Sequence, residues 1–270
     1  MSEPITREQL LANRGQVKVK ALLNGPFGVG KTYTAMTSPK WAYAMIEPNG
    51  LATALVPENT HLLANMVYYE SFVPQKDEEP KVMFERLSQF LGKVREDAKA
   101  GKVETLILDN LSHLAENRWI YIEQHEVALH KTSTGAVNTL SMYNSLGRWL
   151  YKFVLTEVIS LPCHVMMTCH EMDEEEVQQT AGGEKRVKTG RVLSNILGGF
   201  RKDAAGLVNL SAFLERQVTA GKVTFRARCL PGNGKPAKNN LGLPEFVENI
   251  SFQSLMGALN RGVAQGGTGS

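Results

Sequence analysis

Cysteine is scarce in this chain: only Cys163, Cys169 and Cys229 among 270 residues. An odd count without CxxC spacing argues against a disulfide framework and points to a reducing compartment. Long apolar runs are also missing, since no stretch approaches eighteen uninterrupted apolar residues. The opening MSEPITREQLL is acidic and mixed where a signal peptide needs a basic and then an apolar run. A soluble, cytoplasmic protein with no membrane partner is expected. Charge of one sign is lacking as well: Lys plus Arg 30 against Asp plus Glu 27 leaves +3, so any contact with a polyanion must come from local patches. With 43% hydrophobic and 21% charged residues the composition is that of a folding globular chain.

What the sequence does have is alternation. Thr6 and Gln9 have capping-box spacing before Leu10 and Leu11, which predicts a short first helix, and Val17, Val19, Ala21 and Leu23 alternate as a strand. A helix from Lys31 to about Thr37 leads to a second apolar run, Ala42 to Ile46, which stops at Glu47 and the breakers Pro48, Asn49 and Gly50. Met66 to Tyr69 reads as a further strand. Met83, Leu87, Phe90, Leu91, Val94 and Ala98 share one helical face, and Leu106 to Leu108 form a strand ending at Asp109. Residues 111–129 read as helix and 130–138 as loop. Met142, Leu146, Leu150 and Phe153 mark another helix that feeds a strand from Val165 to Cys169.

Beyond Cys169 the pattern changes. Residues 171–190 follow neither period and contain Gly182, Gly183 and Gly190, so a mobile loop is expected there. Val208 to Val218 and Val223 to Leu230 flank Ala220 and Gly221 as a hairpin, and a last helix lies near Phe252 to Leu259. Apolar runs alternating with helices predict a three-layer α/β/α domain over residues 1–260. Its sheet is mostly parallel, with a C-terminal β-hairpin and a flexible tail at 261–270. Ligand chemistry is expected at the carboxyl ends of the strands.

Residues 25–32 read GPFGVGKT, a complete GxxxxGK[ST] phosphate loop between a strand and a helix. Gly25 and Gly30 let the backbone turn tightly, so that the N–H groups of Pro26–Tyr33 other than proline's, from Phe27, Gly28 and Val29 onward, point inward at an anion. Lys31 supplies a point charge to the β and γ phosphates of ATP, and Thr32 offers a hydroxyl to Mg²⁺. Asp109, ending an apolar strand, is the expected acidic partner of that metal ion.

Many ring-forming ATPases place a glutamate directly after this aspartate, but here the next residue is Asn110. The catalytic base must sit elsewhere. Glu47 is the candidate, because a parallel sheet brings the end of the second strand within reach of the γ-phosphate. His170 ends its strand and is a candidate sensor of that phosphate. Histidines 61, 113, 125, 130 and 164 have no metal-ligand spacing.

This order of parts resembles RecA-type recombinases over roughly residues 17 to 245, and the IEPNG segment and CHE ending look most like the compact RecA-like ATPases of bacteriophages linked to single-strand annealing and recombination. The resemblance implies DNA-stimulated ATP hydrolysis, single-stranded DNA as partner, and a filament or ring of identical subunits. Other recombination or replication proteins become possible partners, and a phage-encoded chain would act in the bacterial host's cytoplasm. It further implies that the DNA path runs along residues 125–140 and 171–190. Lys131 lies in the first segment, and Lys185, Arg186, Lys188 and Arg191 lie in or just after the second, where they could meet phosphate oxygens. Asp173 to Glu176 are acidic and oppose this. AKNNLG, residues 237–242, resembles the Lys-Asn-Arg-Phe-Gly motif of bacterial RadA relatives, which implies that Lys238 reaches a neighbouring subunit's nucleotide. A ring ATPase that loads a helicase or packages DNA, and a non-catalytic annealing module ordered by ATP, are the alternatives; a P-loop small-molecule kinase is a third, against which stands the lack of an arginine-rich lid.

Overall fold

A computed structural model describes residues 17–76, 78–180, 183–219 and 222–257. The helix expected at Thr6 and Gln9, the Ala220–Gly221 turn and the tail at 261–270 lie outside the described residues. The strands are β1 (Lys20–Asn24), β2 (Trp41–Met45), β3 (Met66–Ser71), β4 (Thr105–Asp109) and β5 (His164–Cys169). Helices α1 (Lys31–Met36), α2 (Pro80–Lys99), α3 (Leu111–Tyr121) and α4 (Thr139–Phe153) connect them. After β5 come β6 (Glu171–Thr180), β7 (Gly183–Ser194), β8 (Leu210–Thr219), β9 (Lys222–Arg228), β10 (Lys238–Asn239) and β11 (Phe246–Glu248).

The main sheet runs β11-β9-β8-β1-β5-β4-β2-β3, with β10 also paired to β8. Strands β1 to β5 and β8 are parallel, while β9, β10 and β11 pair antiparallel at one side. β5 therefore separates the strand that leads into the phosphate loop from the strand that ends in Asp109.

Period-2 alternation explains the three layers. Leu22, Leu106, Leu108, Val165 and Met167 face one way, into a core built with Leu87, Leu91, Leu114 and Leu146 from α2, α3 and α4. Their neighbours Ala21, Leu23, Tyr43, Ile107 and Met166 face the other way, against Ala35 and Met36 of α1 and the C-terminal Phe252 and Leu255. The three-layer α/β/α architecture is thus as expected, with the C-terminal hairpin formed by β8 and β9.

Two expectations need correction. The helix read over 111–129 ends as α-helix at Tyr121 and continues as a π turn (Ile122–Glu126) and a 3-10 turn (Val127–His130). Residues 171–190 are not an irregular loop: β6 and β7 form an antiparallel hairpin separate from the main sheet. Its backbone ladder is flanked by opposite charges on the two strands, Lys188 on Asp173, Arg191 on Glu174 at 3.5 Å and Arg186 on Glu175 at 4.0 Å. Most of its side chains are exposed, so no face is apolar and the strand period is invisible in the sequence.

Candidate functional site

The phosphate loop follows β1 directly and opens α1. Gly25 has φ +156°, and a Cβ there would lie 2.8 Å from Val29 Cγ2 and 2.9 Å from the Leu214 carbonyl, so the close approach of β8 requires glycine. Gly28 and Gly30 have φ +74° and +88°, the left-handed region that lets the loop wrap. Val29 is buried in the core and holds the loop down by its side chain. Phe27 is 74% exposed, with its ring 4.0 Å from that of His170.

Lys31 is buried, and its Nζ donates to the Gly25 carbonyl at 2.8 Å and the Pro26 carbonyl at 2.7 Å. An ammonium has three donors, so one is left for an anion in the pocket. Burial pulls the Lys31 pKa down, while the carboxylates of Glu47 and Asp109 pull it back part of the way. The pocket beside it measures about 170 Å³. Phe27, Gly28, Gly30, Lys31, Thr32 and Tyr33 line one side, and Glu47 and His170 close the other.

Asp109 is buried. Its Oδ2 accepts from Thr32 Oγ1 at 2.9 Å and from the Tyr43 hydroxyl at 2.6 Å, and its Oδ1 accepts from Thr168 Oγ1. A hydroxyl and a carboxylate meeting at the head of α1 form the hard oxygen set that suits Mg²⁺. Burial, then the Asp109 charge, push the Tyr43 phenol far above its ordinary pKa, so it remains a donor. Gly50 packs on the same hydroxyl: a Cβ there would sit 2.1 Å from Tyr43 Oη.

The backbone at the end of β2 is tied to β4, because Ile46 N and Glu47 N both donate to the Asp109 carbonyl, at 2.6 and 2.9 Å. This fixes where the Glu47 side chain starts. Its Oε2 accepts from Asn110 Nδ2 and lies 3.5 Å from His170 Nε2. Burial opposes ionisation of Glu47, but contacts from His170, Asn110 and His113 outweigh it and hold the pKa below the ordinary value. Glu47, His113 and His170 offer ligand atoms within 4.8 Å of one another. The Asn110 amide is hydrogen-bonded to each of the three, so it fills the space between them.

His170 reaches from this pocket to the hairpin. Its backbone N donates to Ser112 Oγ at 3.1 Å, and its carbonyl accepts from Asn195 N at 2.7 Å, just past the end of β7. Ser194 Oγ in turn donates to Asn24 Oδ1 at 2.6 Å, beside the phosphate loop.

A family model described as an AAA domain matches residues 17–240. The chain belongs to the AAA-domain family of P-loop ATPases. No curated protein matches it. Among solved structures it is similar to a KaiC-like protein from the hyperthermophilic archaeon Pyrococcus horikoshii OT3, at 12% identity, covering 77% of this chain and 76% of that one, with a TM-score of 0.36.

In this AAA-domain chain the fold brings together Gly25 to Tyr33, Glu47, Asp109 and His170. It does not bring Lys238 to them. That residue pairs with Ser211 in the β10–β8 ladder, its Nζ donates to the Gly206 carbonyl at 2.9 Å, and it does not line the nucleotide pocket of its own chain. Lys131 and the basic residues Lys185, Arg186, Lys188 and Arg191 are exposed and also lie outside the pocket. Three residues of the site had no role assigned from the sequence, Tyr43, His113 and Thr168, and Asn110 was read only as the absence of a glutamate. Tyr43 and Thr168 interrupt otherwise apolar strands with a polar group, which is the one signal that could have marked them. Among the described residues no helix is long and apolar enough to cross a membrane.

Proposed function

We propose that this chain is a RecA-type ATPase that binds and hydrolyses Mg²⁺–ATP and acts on single-stranded DNA as a homo-oligomer, in phage or bacterial recombination or replication. The observation that carries the hydrolytic part is the ionised Glu47 carboxylate, held by Asn110 and His170 across a small pocket from the phosphate loop. Lys31 and the loop backbone would hold the phosphates, and Thr32 with Asp109 would hold the metal ion. A bound Mg²⁺ would offset charge on the phosphate oxygens. Glu47 would accept the proton of an attacking water, a role that its ionised state and its placement suit. His170 would carry a change in the pocket to β6 and β7, because its carbonyl is bonded to the exit of that hairpin.

The DNA part rests on the resemblance in the order of parts and on the exposed basic residues of the hairpin. Arg186, Lys188 and Arg191 face acidic partners across the strands, and exposed ion pairs of this kind are weak enough to be exchanged for phosphate oxygens. Lys238 would act on a neighbouring subunit's nucleotide or not at all. The AAA-domain match favours a second reading, a ring ATPase that loads a helicase or packages DNA. Asn110, where such ATPases place a glutamate, weighs against it.

Turnover measured with and without single-stranded DNA tests the proposal. Stimulation by DNA, lost in Lys31→Ala together with nucleotide binding, is the expected result. Turnover indifferent to DNA would remove the DNA role, and full nucleotide binding by Lys31→Ala would remove the phosphate-loop assignment. Electron micrographs with a non-hydrolysable nucleotide, with and without DNA, would distinguish filament from ring.

A further inference from the structure

A polar cavity of about 290 Å³ lies at the start of α4, away from the nucleotide pocket, and the two share no residue. Ser141, Asn144, Ser145 and Arg148 line it from α4, at the i, i+3, i+4 and i+7 positions of one helical face. His130 closes the other side. It is buried, with Nδ1 bonded to Ser141 Oγ at 2.9 Å and a buried Nε2 that has no partner among the described residues. Arg148 is exposed and makes no ion pair among the described residues. No carboxylate lines the cavity.

A free guanidinium and two hydroxyls around a carboxylate-free cavity, with the His130 imidazole packed beside them, form an oxyanion site. A second cavity of about 450 Å³ shares Asn144 and Arg148 with the first and is lined by Tyr143 and Tyr151. Tyr151 is exposed. Its one acidic group is Asp203. Cation on one side and aromatic faces on the other are the two elements of single-strand recognition, phosphate contact and base stacking.

We infer that the groove over α4 binds single-stranded nucleic acid, with a backbone phosphate held at Ser145 and Arg148 and a base against Tyr151. This rests on the proposed action on single-stranded DNA and moves its main contact from the hairpin to α4.

The test is anisotropy of a labelled single-stranded oligonucleotide over a range of salt, for wild type, Arg148→Ala and Arg148→Lys, with nucleotide binding as the folding control. Removing one phosphate contact should weaken binding about tenfold and lower the slope of log K against log salt by about 0.7. Arg148→Lys should recover part of the loss. Binding by Arg148→Ala equal to wild type overturns the groove and leaves the DNA role to the hairpin. If wild type binds no single strand, the DNA reading fails by itself, and the anion site is decided by titrating inorganic phosphate against the His130 imidazole signals. A saturable shift absent from Arg148→Ala supports the oxyanion site, and no shift overturns it.

Discussion

Tyr43 donates its hydroxyl to Asp109 Oδ2 at 2.6 Å, from the middle of β2 to the end of β4. Gly50, in the turn that follows β2, leaves room for that hydroxyl. Tyr43→Phe removes a donor from a buried carboxylate and should cost about 1–3 kcal/mol in denaturant unfolding. Gly50→Ala would place a methyl on the phenol oxygen and push the ring off Asp109. Both variants should need more Mg²⁺ for half-maximal turnover, which a metal titration of the ATPase reads.

Asn110 links Glu47 to its surroundings and also caps α3, since its Oδ1 accepts from His113 N at 2.9 Å. Asn110→Ala should therefore cost about 1 kcal/mol of stability through the lost cap. It should also raise the Glu47 pKa, because a donor to the carboxylate is gone. The acid limb of the pH–turnover profile should move to higher pH in this variant. A limb that stays in place would mean that Glu47 does not govern it.

His164 gives a pH dependence of stability that is independent of catalysis. Its Nδ1 accepts from Val19 N at 2.9 Å, which requires a neutral ring. Burial first, then the charges of Lys18 and Lys20, lower its pKa from 6.5 to about 4. Between these values the unfolded chain binds the proton and the folded one does not, so stability falls as pH falls through this window. Allowing for solvent screening, the loss is about 2 kcal/mol. Denaturant unfolding at pH 7 and pH 4.5 should show a smaller difference in His164→Asn, whose carbonyl can still accept from Val19.

The hairpin makes a separate prediction. Lys185 and Arg186 are exposed on β7, and replacing both by alanine should lower affinity for single-stranded DNA in a salt-dependent way while leaving nucleotide binding unchanged. Anisotropy at two salt concentrations checks it. Unchanged affinity would remove the hairpin from the DNA path.

Strands β1, β2, β4 and β5 were legible because each is buried on both faces and ends at a breaker, an acid or a histidine. Leu106 to Asp109 and Ala42 to Glu47 are examples, and the strand ends gave Glu47 and Asp109 their places. The hairpin of β6 and β7 was not, because EMDEEEVQQT and GEKRVKTGRVLS are mostly exposed on both sides and hydropathy has no period to follow. Asn110 was noticed as the absence of a glutamate, yet its bonds to Glu47, His113 and His170 depend on strand order, which local sequence does not carry. Tyr43 and Thr168 read as core for the same reason: their partner Asp109 is distant in the chain.

If Glu47 activates the water, Glu47→Gln should bind nucleotide as wild type does and fail in single-turnover ATP hydrolysis, and both are measured on the same preparation. Unchanged nucleotide affinity with hydrolysis slowed about a hundredfold or more is the predicted result. Hydrolysis within a fewfold of wild type would contradict it.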